Sequence, residues 1–220
     1  MKYTKEEIRK GMLLYAVTDQ SWLKEKETLL DVVKEVLKNG ATFLQIREKD
    51  LEEDNFEREA KKLKDICREY QVPYVVNDNV DIAMHIDADG VHVGQSDIKG
   101  RDIRSIIGAD KILGISAGTV EEAVAAEKAG ADYIGVGAVF VTSTKKNARN
   151  MSIDRLKEIV DSVNIPVVAI GGINEKNMME LAGSKIDGIA VVSAIFAANN
   201  PGAATKNLLN KAKELVRENE

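Results

Sequence analysis

Tyr133-Ile-Gly-Val-Gly137 is a short apolar run, and the polar segment Ala138-Val-Phe-Val-Thr-Ser-Thr-Lys-Lys-Asn-Ala-Arg-Asn150 follows it directly. The run reads as a buried strand. Upstream, Lys111-Ile-Leu-Gly-Ile115 reads as a second strand. Thr119 to Ala129 between them reads as a helix, with Thr119 and Glu122 at capping-box spacing. Downstream, Ser152 caps a predicted helix to Val163, and Pro166-Val-Val-Ala-Ile170 is the next strand. Strands alternating with helices in this way predict parallel strands joined by crossover helices.

The same unit repeats outward in both directions. Toward the N-terminus, predicted strands cover Leu13–Val17, Thr42–Arg47, Val72–Val76 and Gly90–Val93. Helices are predicted over Thr28–Lys38, stopped by Asn39-Gly40, and over Asn55–Tyr70, Val80–His85 and, weakly, Gly100–Ile107. Leu29, Val32, Val33, Val36 and Leu37 make one apolar face of the first. Phe56, Ala60, Leu63 and Cys67 make one stripe of the second. Toward the C-terminus come a helix over Asn174–Ala182, a strand over Gly188–Val192 and a helix over Ala203–Arg217. The strands are short and rich in Val and Ile, as strands buried on both faces are. Eight such units favour a single-domain (β/α)8 TIM barrel over residues 1–220. The opening repeat has no Gly-x-Gly-x-x-Gly turn, which weakens an open dinucleotide-binding sheet.

The bulk composition narrows the partners. A formal charge of −5 argues against nucleic acid, which usually meets a basic face. It leaves room for anionic small molecules, because local cationic clusters work inside an acidic protein. Cys67 is the one cysteine, so no intrachain disulfide forms, and its expected role is packing. The apolar run Met12–Val17 is too short for the core of a signal peptide. No stretch approaches the roughly 20 apolar residues of a membrane span. A cytoplasmic location is expected.

In such a barrel the active site is expected at the carboxyl ends of the strands, so the residues there form one list. Strand two ends Gln45-Ile46-Arg47-Glu48-Lys49, and a period of two points Gln45, Arg47 and Lys49 the same way. Strand three ends Asn77-Asp78, and Asp97 lies just beyond strand four. Two carboxylates from neighbouring strands suit Mg²⁺, which also takes phosphate oxygens and water. The alternative is that each aspartate caps the helix after it. His92 in strand four reads as a hydrogen-bonded core residue. Thr142, Ser143 and Thr144 offer hydroxyls and Lys145 an ammonium, the chemistry of a phosphate cradle; a solvated loop is the other reading. Gly171-Gly172 after strand seven and Val192-Ser193 after strand eight fall where this fold frequently binds phosphate. Two anion sites result. One gathers Arg47, Lys49, Asn77, Lys145 and a metal; the other gathers Gly172, Val192 and Ser193, helped by the 142–144 loop.

These pieces, in order along nearly the whole chain, resemble the thiamine-phosphate synthase family. The matching segments are Leu14-Tyr-Ala-Val-Thr-Asp19, Gln45–Lys49, Asn77-Asp78, Asp89-Gly-Val-His-Val-Gly-Gln-Ser-Asp97, Gly114-Ile-Ser116, Gly130–Gly137, Thr142–Lys145, Ala169-Ile-Gly-Gly-Ile173 and Val191-Val-Ser-Ala-Ile195. The resemblance implies an enzyme that joins a hydroxymethylpyrimidine diphosphate to a hydroxyethylthiazole phosphate, by departure of diphosphate before attack of the thiazole nitrogen. It implies that the run Gln45, Ile46, Arg47, Glu48 and Lys49, with Asn77, Ser116 and Lys145, holds the pyrimidine diphosphate. Within that set Lys49, Ser116 and Lys145 are the expected catalytic residues. It further implies that Asp78 and Asp97 bind Mg²⁺ and that Thr142, Ser143, Thr144, Gly172, Val192 and Ser193 hold the thiazole phosphate. The chain departs from the family at Ala138 and Val141, where relatives often carry proline. It also carries Gly118 where the related thiazole tautomerases place a catalytic histidine, and glycine cannot transfer a proton. A tautomerase and a non-catalytic phosphate-binding barrel are the alternative readings.

Overall fold

A computed structural model describes residues 3–25, 27–49, 51–99, 101–142 and 151–218. Eight strands pair in chain order and close on themselves: β1 (Leu14–Val17), β2 (Phe43–Ile46), β3 (Tyr74–Asn77), β4 (Gly90–Val93), β5 (Ile112–Ala117), β6 (Tyr133–Gly137), β7 (Val167–Ile170) and β8 (Gly188–Val191). Every pair is parallel, and the closing pair sets Tyr15 beside Ala190. The helices are α1 (Lys5–Gly11), α2 (Leu29–Lys38), α3 (Glu53–Glu69), α4 (Val80–His85), α5 (Ile103–Ile107), α6 (Val120–Lys128), α7 (Ile153–Asp161), α8 (Ser193–Phe196) and α9 (Pro201–Arg217). This is the expected (β/α)8 barrel. Among the described residues no helix is long and apolar enough to cross a membrane.

The period of two in each strand divides the apolar residues between two cores. Tyr15, Val17, Phe43, Val75, Ile112, Tyr133, Val168 and Ala190 fill the barrel interior. The alternate positions, among them Leu14, Ala16, Leu44, Ile46, Val76, Val91, Leu113, Ile134 and Ala169, pack outward against the helices. Helix α1, which the sequence pattern did not show, closes the amino-terminal end of the barrel with Ile8 and Met12, both fully buried in the inner core. Its signal was present locally: Thr4 and Glu7 form a complete capping box.

The caps decide where the helices begin. Ser152 accepts the N–H of Arg155, as its position predicts, and Thr28, expected inside its helix, is instead the cap that accepts the N–H of Asp31. The box expected at Thr119 is only half made. Its hydroxyl accepts from the Glu122 N–H, but the Glu122 carboxylate accepts from the Gly118 N–H at 2.6 Å. The helix expected over Asn174–Ala182 is reduced to a 3-10 turn, Met178–Leu181. There Asn177 Oδ1 accepts from the Asn174 N–H, and both asparagine amides donate to the Gly172 carbonyl. Such side-chain bonds compete with the helical ladder. The weak helix before β5 shortens to α5, capped by Asp102.

Candidate active site

One cavity of about 840 Å³ opens at the carboxyl ends of the strands, within the size range of ligand pockets. Strand β1 contributes Tyr15 and Val17 to it, β2 Gln45, β3 Asn77, β4 His92, β5 Ser116, β6 Gly135 and Gly137, and β7 Ile170. The segments after the strands add Arg47, Lys49, Asp78, Asp97, Thr142, Gly172, Val192 and Ser193. Most of the residues singled out in the sequence therefore meet at one place. Arg47 and Lys49 lie beyond the end of β2, yet both keep the side of Gln45 and line the cavity.

Two expected members do not line it. Ile46 is fully buried and packs outward in the layer between strands and helices. Glu48 turns back toward β1, where its carboxylate accepts from the Thr18 hydroxyl at 2.6 Å and from the Gln20 N–H at 2.9 Å. The period of two that brings Arg47 and Lys49 inward sends Ile46 and Glu48 the other way. Burial raises the pKa of Glu48, against the opposing pull of those two hydrogen bonds. Ser143, Thr144 and Lys145 lie outside the described residues.

The aspartates are not helix caps. Asn79 caps α4 and Asp102 caps α5. Asp78 stands just before that cap with φ of 60°, a left-handed conformation that aspartate tolerates better than most residues. Its N–H is held by the His92 carbonyl at 2.8 Å. Asp97 accepts from the Gly94 N–H at 3.0 Å and from the Ser96 hydroxyl at 3.3 Å. Burial, and next the negative charge of Asp97, raise the pKa of Asp78; the Asn77 side chain and the Lys49 ammonium work in the opposite direction. Two carboxylates that repel one another beside a cavity are a fit for one hard cation. Among the described residues no group of three or more His, Cys, Asp or Glu gathers. A pair suits Mg²⁺, which completes its shell with phosphate oxygens and water.

The opposite rim is built from backbone. Gly171 and Gly172 have φ of 102° and 67°, and a side chain on Gly172 would place its Cβ 2.4 Å from the Val141 carbonyl. The Phe140 N–H donates to the Gly171 carbonyl at 3.0 Å, so the loops after β6 and β7 run together. Beside them, after the neighbouring strand β8, α8 starts at Val192-Ser193 with no side-chain cap on its first N–H groups. Uncapped helical N–H groups favour an anion.

The tyrosines and Arg155 carry chemistry that the sequence pattern does not show. Tyr15 and Tyr133 were counted only as apolar strand positions, yet both bring a hydroxyl to the barrel interior. His92 is the hydrogen-bonded core residue the sequence predicts, buried and bonded at both ring nitrogens, to Tyr133 and to Ser116, and it lines the cavity as well. Arg155, in the first turn of α7, lines the rim and donates from Nε to the Gly118 carbonyl at 3.3 Å. The signal for the tyrosines was their inward parity, but parity needs a known strand register.

A wall of cations and carboxylates faces a rim of glycine turn and helix start across one barrel mouth, the end at which (β/α)8 enzymes carry their active sites. A family model described as thiamine monophosphate synthase matches residues 14–195. The thiamine-phosphate synthase of Methanobrevibacter smithii is 52% identical over 200 residues, covering 91% of this chain and 95% of that one. That of Clostridium tetani is 48% identical over 195 residues, covering 89% and 93%. A solved thiamine phosphate pyrophosphorylase from Pyrococcus furiosus superposes with a TM-score of 0.86 at 39% identity, covering 95% of this chain and 99% of that one. The chain belongs to the thiamine-phosphate synthase family, transferases of thiamine biosynthesis.

Proposed function

We propose that the chain condenses 4-amino-2-methyl-5-(diphosphooxymethyl)pyrimidine with 4-methyl-5-(2-phosphooxyethyl)thiazole to thiamine phosphate and diphosphate, assisted by Mg²⁺. One observation carries the reading: the carboxylates Asp78 and Asp97 share a cavity wall with the cations Arg47 and Lys49. Capture of a phosphate alone needs no carboxylates, which repel it; a diphosphate with a divalent cation uses both signs.

In this reading Gln45, Asn77 and Ser116 orient the pyrimidine substrate, and Arg47, Lys49 and Lys145 hold its diphosphate. Asp78 and Asp97 would hold Mg²⁺, which supplies charge neutralisation to the leaving diphosphate. Thr142, Ser143, Thr144, Gly172, Val192 and Ser193 hold the thiazole phosphate. The bond between the methylene carbon and the diphosphate oxygen breaks, with its electron pair leaving on the diphosphate. The resulting pyrimidinylmethyl cation accepts the lone pair of the thiazole nitrogen. No proton changes hands, so no general base is required. The fixed cations stabilise charge where it develops, and do so before the step begins. Gly118 carries no proton-transfer group, which favours this reading over a tautomerase.

The test is a coupled assay with both substrates, with and without Mg²⁺. Thiamine phosphate and diphosphate are expected in equal amounts, and only with the metal. A folded protein that binds both substrates yet forms neither product would overturn the reading and leave a binding barrel.

A further inference from the structure

Five side chains from five strands form one continuous hydrogen-bonded chain beneath the cavity. Gln45 Nε2 donates to the Tyr15 hydroxyl at 2.5 Å. The Tyr15 and Tyr133 hydroxyls are 2.8 Å apart. Tyr133 Oη lies 3.0 Å from His92 Nδ1, and His92 Nε2 lies 3.0 Å from Ser116 Oγ. All but Ser116 are buried. The two ends, Gln45 and Ser116, line the cavity.

The chain has a direction. A tyrosine hydroxyl has one proton to give. Tyr15 receives from Gln45, so its own proton goes to Tyr133. The Tyr133 proton then goes to His92 Nδ1, which must be bare. A neutral His92 carries its proton on Nε2 and donates it to Ser116. The proton of Ser116 is left for the cavity, as is the carbonyl of Gln45. Turning the Gln45 amide over would reverse all four bonds together, so the chain has two polarities and no mixed one.

Two glycines keep room for this chain. A Cβ on Gly114 would stand 2.3 Å from Tyr133 Oη and 2.5 Å from His92 Nδ1, directly on the bond between them. A Cβ on Gly135 would press on His92 Cε1 at 3.3 Å. Both lie inside strands, where glycine weakens the element and marks a close approach.

We propose that Tyr15, Tyr133 and His92 are positioning residues that fix the polarity of the pyrimidine subsite, presenting an acceptor at Gln45 and a donor at Ser116. The inference rests on the reading of the cavity as a pyrimidine diphosphate site. An amino group on the substrate ring gives its proton to Gln45 Oε1, and an acceptor atom of the same substrate receives from Ser116. The subsite therefore selects an aminopyrimidine over its 4-oxo analogue, whose ring edge carries the opposite pattern. A mismatched edge leaves buried polar groups unpaired, the kind of contrast that discriminates strongly.

The first measurement needs no substrate. The chain has two histidines, and His85 is largely exposed. Nitrogen-15 spectra of a His85→Asn variant report His92 alone. The Nε2–H tautomer is expected, and a Tyr133→Phe change on that background should mix the tautomers by removing the donor to Nδ1. An Nδ1–H or cationic His92 at neutral pH would overturn the proposal, whatever the activity. In turnover, Tyr133→Phe should lower kcat/KM for the pyrimidine diphosphate about tenfold, the scale of one lost hydrogen bond. It should also reduce the preference over the 4-oxo analogue and leave the KM of the thiazole phosphate unchanged. Gly114→Ala should do the same if it folds. An unchanged preference in a folded Tyr133→Phe enzyme would sink the positioning role while leaving the synthase reading intact. A folded protein that turns over neither pyrimidine would instead fail the synthase reading, with the tautomer result still deciding the polarity.

Discussion

Glu48 shows how one residue can sit in a substrate motif and serve the scaffold. Its carboxylate is buried against Thr18 and Gln20, and burial raises its pKa in the folded chain. The folded state then holds the proton more tightly than the unfolded one. Stability from this group is greatest below the ordinary glutamate value of about 4.3 and falls as pH rises through the raised value. A Glu48→Gln variant keeps both contacts, because the amide can donate to Thr18 and accept from Gln20. Its melting temperature relative to the parent should rise as pH goes from about 4 to about 7. Thermal melts across that range check it, and a constant difference would remove the claim.

At the scale of elements, the loop after β7 is shaped by the loop after β6. Gly172 has a positive φ and leaves no room for a side chain beneath the Val141 carbonyl. Its own carbonyl is pinned by Asn174 and Asn177, so the turn cannot simply yield. Gly172→Ala should raise the KM of the thiazole phosphate at least about tenfold, a loss on the scale of a strained turn. The KM of the pyrimidine diphosphate should change much less, because all its proposed contacts except Lys145 lie on or just after strands β2 to β5. Initial rates with each substrate varied in turn measure both. Equal damage to the two constants would mean that the rims are not separate sites.

For the whole molecule, the barrel is plugged at one end and open at the other. Ile8 from α1 and Met12 just after it fill the amino-terminal end together with Phe43 and Tyr133, and polar side chains take over toward the carboxyl end. The plug therefore supports the floor on which the tyrosine–histidine chain rests. Met12→Ala should cost about 2–5 kcal/mol. For a chain of this size that lowers the melting temperature by roughly 5–15 °C. Calorimetry tests it, and a loss below about 1 kcal/mol would show that the barrel stands without the plug.

The amino-acid sequence by itself determined the alternation of elements, because buried parallel strands and one-sided helices leave different apolar periods. It also marked many of the polar residues that line the cavity, since the carboxyl ends of the strands form the mouth of such a barrel. Helix α1 escaped although Thr4 and Glu7 mark its start, and the four-residue α8 is too short to show a period. The helix at Asn174 was over-read, because asparagine side chains took bonds that the pattern assigned to the backbone. Only the tertiary structure decided which side Ile46 and Glu48 face, since their direction depends on register against the neighbouring strands. It alone joined Gln45, Tyr15, Tyr133, His92 and Ser116, five residues from five strands that meet only when the sheet closes. Local chemistry is written along the chain, whereas hydrogen bonds across a barrel exist only once its circumference is fixed.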